Sequence, residues 1–313
     1  MLIYIARRLI FGVVLALLVT LITFAVLSVS FDNVALKLAG AGASPETVTA
    51  MTAKLGFDRP LLVQYLDWLS STVTGDLGRS LFTGEPVGPA IVQRLSVTMS
   101  LVLVGLTVTT IVGFLLGVLA ATRGGAVDRV IQLLILLGFI FPALIVAIGL
   151  VWVLAITLHW LPATGYTPIT EDPAAWLRSI TIPVLVLAIG GSANLTSQVR
   201  GAMIDELRKD YVRTLRTRGI SPLSFTLKHA LRNASGPALT VLSLEFIGML
   251  GGALIIERVF ALPGFGTFAY NASTAGDVPV ILGVTTYSVL LVIVVNLATD
   301  LVNGWLNPKA RIA

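Results

Sequence analysis

The sequence predicts an all-α integral membrane protein with six transmembrane helices. Hydrophobic residues make up 56% of the chain and charged residues only 12%, whereas a soluble globular chain carries about 25% charged residues. The mean hydropathy is +0.94. The apolar residues are gathered in runs long enough to form helices that cross a hydrocarbon core about 30 Å thick. These observations exclude a disordered chain, a collagen-like chain and an ordinary cytosolic enzyme.

The six runs are separated by charged or turn-forming residues. Pro142 lies near the middle of the third run and predicts a kink there, because proline lacks the backbone N–H that a regular helix uses. Glu245, in the fifth run, is the only acidic residue clearly inside a span. The predicted spans are Leu9–Phe31, Leu95–Thr122, Val130–Trp160, Ser179–Val199, Pro237–Ile256 and Val278–Thr299.

The lysine and arginine residues indicate the orientation of the chain. Fourteen of them fall in one alternate set of segments, which includes both termini, and seven fall in the other set. Because positively charged loops stay in the cytoplasm, both termini and the loop 200–236 are predicted to be cytoplasmic. The net charge of +5 is thereby explained by topology, and no nucleic-acid partner is predicted. The first apolar run is too long for a signal peptide, so it is interpreted as an uncleaved helix.

The spans and loops divide the chain into four predicted parts. The first transmembrane helix covers residues 1–31, and an extracytoplasmic helical subdomain covers 32–94. A membrane core follows over 95–306, and a cytoplasmic tail over 307–313.

Two helices are predicted in the extracytoplasmic subdomain. Ser44–Glu46 provides a serine N-cap, a proline and an acidic first turn, and Gly56 can end that helix. A second helix begins near Pro60, repeats its apolar residues at three- and four-residue spacings, and ends near Gly75. The subdomain is either a packed cap over the membrane core or a docking or gating element for an external partner.

The loop 200–236 carries eight basic and three acidic side chains. A helix is predicted within it over 205–220, where Leu207, Tyr211 and Leu215 recur at i, i+4 and i+8 and so share a face. Two interpretations fit this pattern. The helix either lies on anionic lipid with its arginines near phosphate, or inserts its apolar ridge into a groove of a cytoplasmic partner.

No catalytic or metal-binding site is predicted, and the chain is not expected to be an enzyme by itself. The sequence has no cysteine and contains none of the HExxH, GxSxG or GxxxxGK[ST] motifs. The two histidines, His159 and His229, are far apart along the chain. An ion-gradient-driven secondary transporter is the alternative from another class, because such carriers place ionisable groups inside spans and Glu245 could bind a coupling ion.

Residues 210–220, with the sequence DYVRTLRTRGI, resemble the coupling-loop motif of ABC-transporter permeases. The form is similar to that of the dipeptide, oligopeptide and nickel importer subfamily, although Arg213–Leu215 stands where the general motif has glutamate, alanine and alanine. Other segments resemble the same subfamily in the same order, and together they cover essentially the whole chain. They are Arg7–Arg8, Leu55–Pro60, Gln64–Tyr65, Trp68–Leu69, Gly75–Ser80, Lys228–Ala234 with Pro237, and Glu257–Gly266.

The resemblance implies a division of labour. The region 95–306 would be a permease core that pairs with a second, homologous permease subunit and encloses half of the translocation pathway. Two cytoplasmic ATPase subunits or domains would bind ATP and Mg, so this chain would hold no cofactor, and they would press on the helix over 205–220. An extracytoplasmic binding protein would deliver short peptides for import. Nickel or another small solute is the alternative substrate, because the same subfamily covers these as well.

The resemblance also implies a location and a set of functional residues. The chain would be a multi-pass protein of the bacterial plasma (inner) membrane, surrounded by lipid. The residues expected to couple to the ATPases are Leu207, Asp210, Tyr211, Arg213, Thr214, Leu215 and Gly219. The residues expected at a gate or along the pathway are Glu245, Glu257, Phe260, Pro263, Gly264 and Gly266.

The stretch Glu257–Gly266 is expected to form an outer re-entrant turn or gate. The alternative is a glycine- and proline-containing turn that only connects two spans. Glu257 and Arg258 are expected to pair with charges on the partner permease.

The first testable prediction concerns the end of the predicted coupling helix, where Gly219 can stop the helix and Ser221–Pro222 can begin the next one. Gly219→Pro or Leu215→Asp should reduce transport and weaken ATPase binding, while membrane insertion stays intact, because Leu215→Asp changes the apolar ridge and Gly219→Pro changes the turn that ends the helix. Solute uptake, ATPase co-purification and membrane content measure the three effects. Normal transport by both variants would contradict the coupling assignment.

Overall fold

The computed structural model of the chain describes residues 2–219, 221–226 and 230–306. For residues 2–5, 213, 215, 216, 222, 223 and 303–306 the description extends to the backbone only. Within these ranges the regular structure is helical, apart from one isolated antiparallel bridge between Arg79 and Pro86. The predicted all-α class is confirmed.

Thirteen α-helices are formed by the described residues. In chain order they are α1 (Leu2–Ser28), α2 (Phe31–Ala39), α3 (Pro45–Leu55), α4 (Leu61–Val73), α5 (Val87–Arg123), α6 (Gly125–Ile140), α7 (Ala143–Leu150), α8 (Pro173–Leu207), α9 (Asp210–Thr217), α10 (Pro222–Phe225), α11 (Leu231–Val259), α12 (Phe265–Ala275) and α13 (Val278–Leu306).

Five of the described helices are long and apolar enough to cross a membrane, namely α1, α5, α8, α11 and α13. They correspond to five of the six predicted spans, and several extend well beyond the charge-free runs that predicted them. Helix α5 begins at Val87, before the predicted boundary at residue 95, and α8 continues to Leu207. A charged residue therefore marked the end of an apolar run in the sequence without ending the helix.

The third predicted span is divided at Pro142. Helices α6 and α7 are bent by 103° relative to each other, and a π-helical turn over Val151–Thr157 continues α7. Phe141 at the break is extended, with φ −81° and ψ 118°, as the residue before a proline prefers. The predicted position of the irregularity is confirmed, but the chain is broken there and not merely kinked. The described helices make five spans, or six if this bent pair counts as one.

The described residues form two compact units. The first contains the chain up to Val97 together with Pro263–Val294, and the second contains Thr98–Leu262 together with the residues from Val295 onward. This division reflects how closely the residues pack together. The side of the membrane on which each part lies stays a prediction.

In the first unit an aromatic cluster holds the short helices against α1. The rings of Phe24 and Tyr65 meet edge to face with centroids 5.8 Å apart, and those of Phe31 and Phe57 stack at 4.0 Å. Tyr65 Oη lies 3.0 Å from Thr20 Oγ1, so the one polar atom of that buried ring also has a partner. Helix α4 is thereby fixed to α1.

The ends of the short helix α3 agree with the sequence prediction. The Ser44 hydroxyl accepts a hydrogen bond from the Thr47 N–H at 3.3 Å. Gly56 follows the last turn with a left-handed φ of +72°, a conformation that glycine adopts without steric cost. Both the predicted N-cap and the predicted helix end are confirmed.

Asp277 links the start of α13 to the turn that precedes α5. Its carboxylate accepts hydrogen bonds from the Ser80 hydroxyl at 2.5 Å and from the Leu81 N–H at 3.1 Å. The Asp277 residue is only 4% exposed. This contact gives the Gly75–Ser80 segment a structural role that the sequence did not indicate.

In the second unit glycines allow α5 and α6 to approach α8 closely. A Cβ atom added at Gly113 would lie 2.7 Å from the Leu195 side chain, and one at Gly117 would lie 2.7 Å from Val199. Small residues at such positions let transmembrane helices pack at short distances. An ion pair also joins α6 to α8, with Asp128 Oδ1 2.5 Å from Arg200 Nε.

The close packing at Gly113 predicts a destabilised variant with a matched control. Gly113→Ala should lower the free energy of unfolding by about 1 kcal/mol, since overpacking costs roughly 1–3 kcal/mol and the gain in helix propensity is at most about 1 kcal/mol. Gly149→Ala makes the same change in a helix where nothing lies within 4 Å of the added atom, so it should be neutral or stabilising. Thermal unfolding of the detergent-solubilised variants measures both, and equal midpoints would contradict the packing at Gly113.

Candidate coupling site and candidate gate

Two helices occupy the segment for which the sequence predicted one. Helix α8 ends at Leu207, the chain turns at Arg208 and Lys209, and α9 begins at Asp210. The predicted single face of Leu207, Tyr211 and Leu215 is therefore wrong, because Leu207 lies on a different helix. An acidic residue is favourable in the first turn of a helix, and Asp210 occupies that position in α9.

Leu207 belongs to the packing between α8 and α11. It is a partly buried member of an apolar cluster that joins the ends of these two helices. The buried members of the cluster are Leu195, Val199, Met203, Ala230, Ala234 and Ala238. The structure thus assigns Leu207 a packing role inside this chain, beside the proposed docking helix and not on it.

Glu206 is the central residue of the segment. Its side chain accepts hydrogen bonds from Lys209 Nζ at 2.5 Å, Tyr211 Oη at 2.6 Å and Asn233 Nδ2 at 2.9 Å. Glu206 is 5% exposed, and a carboxylate removed from water requires such donors. Because the donors lie beyond the end of α8, in α9 and in α11, this single carboxylate connects three helices.

Tyr211 is directed inward by this contact. Burial and the hydrogen bond to the Glu206 carboxylate both raise the pKa of Tyr211 above its ordinary value, so the phenol stays protonated and donates at neutral pH. Val212, the next residue, is 1% exposed. Among the described side chains of α9, Tyr211 and Val212 therefore lie on the inward face, and the coupling role of Tyr211 stays a prediction.

The exposed positions of α9 whose side chains are described are all polar or charged. Asp210, Thr214 and Thr217 are exposed, and Thr214 Oγ1 donates to the carbonyl of Asp210 at 3.3 Å. The side chains of Arg213 and Leu215, both expected to contact the ATPases, lie outside the described residues. Their backbone positions within α9 are described.

The predicted turn after α9 is confirmed. Gly219 has a φ of +75°, which lies in the left-handed region that favours glycine. The Ser221 hydroxyl accepts a hydrogen bond from the Ser224 N–H at 3.3 Å, and Pro222 is the first residue of α10. Gly219 thus ends one helix, and Ser221 and Pro222 begin the next, as the sequence predicted.

Sequence reasoning missed Glu206 and Asn233 as functional candidates. Asn233 belongs to the family-like segment Lys228–Ala234, of which residues 228 and 229 lie outside the described residues. A usable signal was present in the spacing, because Lys209 follows Glu206 by three positions and can reach it across the helix end. The bond to Asn233 had no comparable signal, since the two residues are 27 positions apart.

The candidate gate contains a carboxylate that is fully enclosed by this chain. Glu257 is 0% exposed, and the Thr98 hydroxyl donates a hydrogen bond to its Oε1 atom. The Glu257 carbonyl accepts from the Leu262 N–H at 2.8 Å. A side chain in these surroundings does not reach the surface, so the expected pairing of Glu257 with a charge on a partner permease is wrong.

The turn after α11 is packed and strained. Phe260 and Leu262 are each 1% exposed, and the Phe260 carbonyl accepts from the Gly165 N–H at 3.0 Å. Between them Ala261 has a φ of 54°, which is uncommon for a residue with a side chain. These contacts fit either of the two roles that the sequence left open, a gate or a fixed connection.

The remaining residues of the stretch begin helix α12, which the sequence did not predict. Pro263 is exposed, whereas Gly264 and Gly266 are buried. Gly264 is the N-cap position, with φ −92° and ψ 177°. Their role at a gate stays a prediction.

Glu245 lies in α11, and its Oε1 atom accepts a hydrogen bond from Asn194 Nδ2 of α8 at 2.7 Å. The side chain is half-buried. Among the residues that the structure describes, no group of three or more histidine, cysteine, aspartate or glutamate side chains is arranged to hold a metal ion.

Two family models match the chain. Residues 113–312 match the family described as binding-protein-dependent transport system inner membrane component. Residues 1–102 match the family of the N-terminal part of such membrane components.

Several similar proteins extend over nearly the full length. A putative peptide transport system permease protein of Brucella abortus (strain 2308) is 37% identical over 308 residues, which are 98% of each chain. A probable peptide ABC transporter permease protein of Sinorhizobium fredii (strain NBRC 101917 / NGR234) is 35% identical, with 99% of each chain covered. The di/tripeptide transport system permease protein DppB of Pseudomonas aeruginosa (strain UCBPP-PA14) is 32% identical, again with 99% of each chain covered.

The fold is similar to that of a solved transporter. The similarity is to a chain of the MetNI methionine ABC transporter in an inward-facing conformation, with a TM-score of 0.56 and 16% sequence identity. The match covers 71% of this chain and 99% of that chain. At this level of identity the comparison supports the fold alone.

The Glu206 contacts predict that Glu206→Ala releases α9. The chain has no native cysteine, so a single Val212→Cys change provides a reporter at a buried position. Loss of a buried acceptor costs roughly 1–3 kcal/mol. Maleimide labelling of the reporter should therefore accelerate about tenfold, the factor that corresponds to about 1.4 kcal/mol.

The control is Asp205→Ala, which removes an exposed carboxylate from the adjacent position and should leave the labelling rate unchanged. Glu206→Gln retains an acceptor for Tyr211 and should give an intermediate rate even if Glu206→Ala folds poorly. Equal labelling in all of these backgrounds would show that Glu206 does not hold α9.

Proposed function

We propose, because this chain belongs to the family of binding-protein-dependent transport system inner membrane components, that it is the permease subunit of an ATP-driven importer of short peptides. The protein is a multi-pass protein of the inner membrane. The observation that carries the peptide assignment is the nearly full-length similarity, at 32–37% identity, to proteins named for peptide transport.

The proposed topology has six spans with both termini in the cytoplasm. Five described helices can cross a membrane, and the bent pair of α6 and α7 would supply the sixth. The excess of lysine and arginine in the segments at the termini and in the loop 200–236 supports the orientation. The short helices α2, α3 and α4 would then form the extracytoplasmic subdomain.

The proposed complex contains further subunits. A second, homologous permease would complete the pathway, and two cytoplasmic ATPase subunits or domains would bind ATP and Mg. An extracytoplasmic binding protein would deliver the peptide. The family's description as binding-protein-dependent supports the last of these partners.

The coupling mechanism follows from the contacts of Glu206. ATPase closure would press on the exposed positions Asp210 and Thr214 of α9. The Glu206 hydrogen bonds to Tyr211 and Asn233 would transmit this movement to α8 and α11 together, because hydrogen bonds to a buried carboxylate resist displacement. Arg213, Leu215 and Gly219 retain their proposed coupling roles, in contact with the ATPase or at the rigid turn.

The experiment that tests the proposed function starts with affinity purification of the tagged chain from gently solubilised membranes. A second permease, ATPases and a binding protein should co-purify. The complex in proteoliposomes should then take up di- and tripeptides only when ATP is supplied on the side of the ATPases.

Two results would contradict the proposal. Uptake of nickel or another small solute without uptake of any peptide would contradict the assignment of peptides as the substrate. A chain that purifies alone and moves solute under an ion gradient without ATP would support the secondary-transporter alternative.

A further inference from the structure

Glu245 is the middle residue of α11, and it meets α8 next to the middle of that helix. Its partner there is Asn194, and Gly191 lies one turn earlier on α8. Both helices are long enough to cross a membrane, so this carboxylate lies far from both membrane surfaces. An ionisable group at such a depth is costly and faces the protein interior or a water-filled cavity.

The described surroundings orient the Glu245 carboxylate, but they donate a hydrogen bond to one of its two oxygens only. Asn194 Nδ2 donates to Oε1 at 2.7 Å. The other oxygen, Oε2, occupies space that a side chain at Gly191 would fill, since a Cβ atom added there would be 2.9 Å away. Among the described residues, no lysine, arginine or histidine forms an ion pair with Glu245.

The side of α8 that carries Asn194 is polar where it is accessible. Ser197 and Gln198, one turn further along the helix, are both exposed. By contrast, the exposed residues over 133–140 of α6 are large and apolar, as at Leu133 (54% exposed) and Phe139 (57% exposed). Because polar side chains inside a span avoid lipid, this side of α8 fits a hydrated surface.

We propose that the Glu245 carboxylate, oriented by Asn194, is a recognition site for cationic groups of the peptide in the translocation pathway. The proposal rests on the proposed function of the chain as a peptide permease. Among the cationic groups of a peptide, the ammonium group of a lysine side chain is the one proposed to bind here, because Glu245 has one amide donor and no lysine, arginine or histidine partner among the described residues. In secondary transporters, too, substrate sites lie near the middle of the membrane. The site should therefore favour passage of positively charged peptides over negatively charged ones.

The test compares the wild-type complex with Glu245→Gln in proteoliposomes, using the same binding protein for both. Glutamine keeps an acceptor for Asn194 and removes only the charge. The probes are alanyl-lysine, alanyl-alanine and alanyl-glutamate, each supplied with saturating loaded binding protein. The ratio of alanyl-lysine to alanyl-glutamate uptake should fall by a factor of about three to ten in Glu245→Gln, and Glu245→Lys should lower it further.

The control is Asp32→Asn, which removes one exposed negative charge in α2 and should leave the ratio unchanged. An unchanged ratio in Glu245→Gln, with ATP-driven uptake intact, would overturn the site and leave the proposed function standing. An equal loss for all three peptides would also overturn it, because that result indicates a structural role or a contact with the partner permease. If the wild-type complex moves no peptide, the proposed function itself is wrong and the site is rejected with it.

Discussion

A carboxylate that leaves water needs hydrogen-bond donors in its new surroundings, and this requirement shapes the protein at each of its three buried acids among the described residues. Glu257 is 0% exposed, Asp277 4% and Glu206 5%. Each accepts hydrogen bonds from a segment distant in sequence, from Thr98, Ser80 and Asn233 respectively. Apolar attraction is non-directional, so these contacts give an apolar chain specific points at which its helices must meet.

The same requirement separates two candidate functional residues. Glu206 receives three donors and joins α8, α9 and α11, as a residue that transmits movement should. Among the described residues Glu245 receives one donor, Asn194, although it lies deeper in the apolar region. A carboxylate whose oxygens all accept hydrogen bonds stabilises the packing of the helices that supply the donors. A carboxylate with a free oxygen can still bind a passing cation. The two acids therefore suit coupling and substrate recognition respectively.

Features that depend on residues close together in the chain could be predicted from the sequence. Apolar runs predicted the membrane helices, because a segment that crosses the hydrocarbon core needs about 20 apolar residues. Such a segment is helical because it must satisfy its backbone hydrogen bonds internally. Ser44 and Gly56 marked the ends of α3, Pro142 marked the break between α6 and α7, and Gly219 marked the turn after α9. Each of these signals acts through the conformation of one residue or through a hydrogen bond within one helical turn, so no knowledge of the fold was needed.

Which of those helices meet, and where their polar groups point, depends on the packed fold and could not be predicted from the sequence. The contact of Ser80 with Asp277 spans 197 positions of sequence, and neither local propensity nor periodicity carries information over that distance. Helical spacing placed Leu207 and Tyr211 on one face, but a turn between them sends Leu207 into the packing of α8 with α11 and directs Tyr211 toward Glu206. Burial of this carboxylate required donors from α9 and α11, and that requirement exists only once the three helices are packed together.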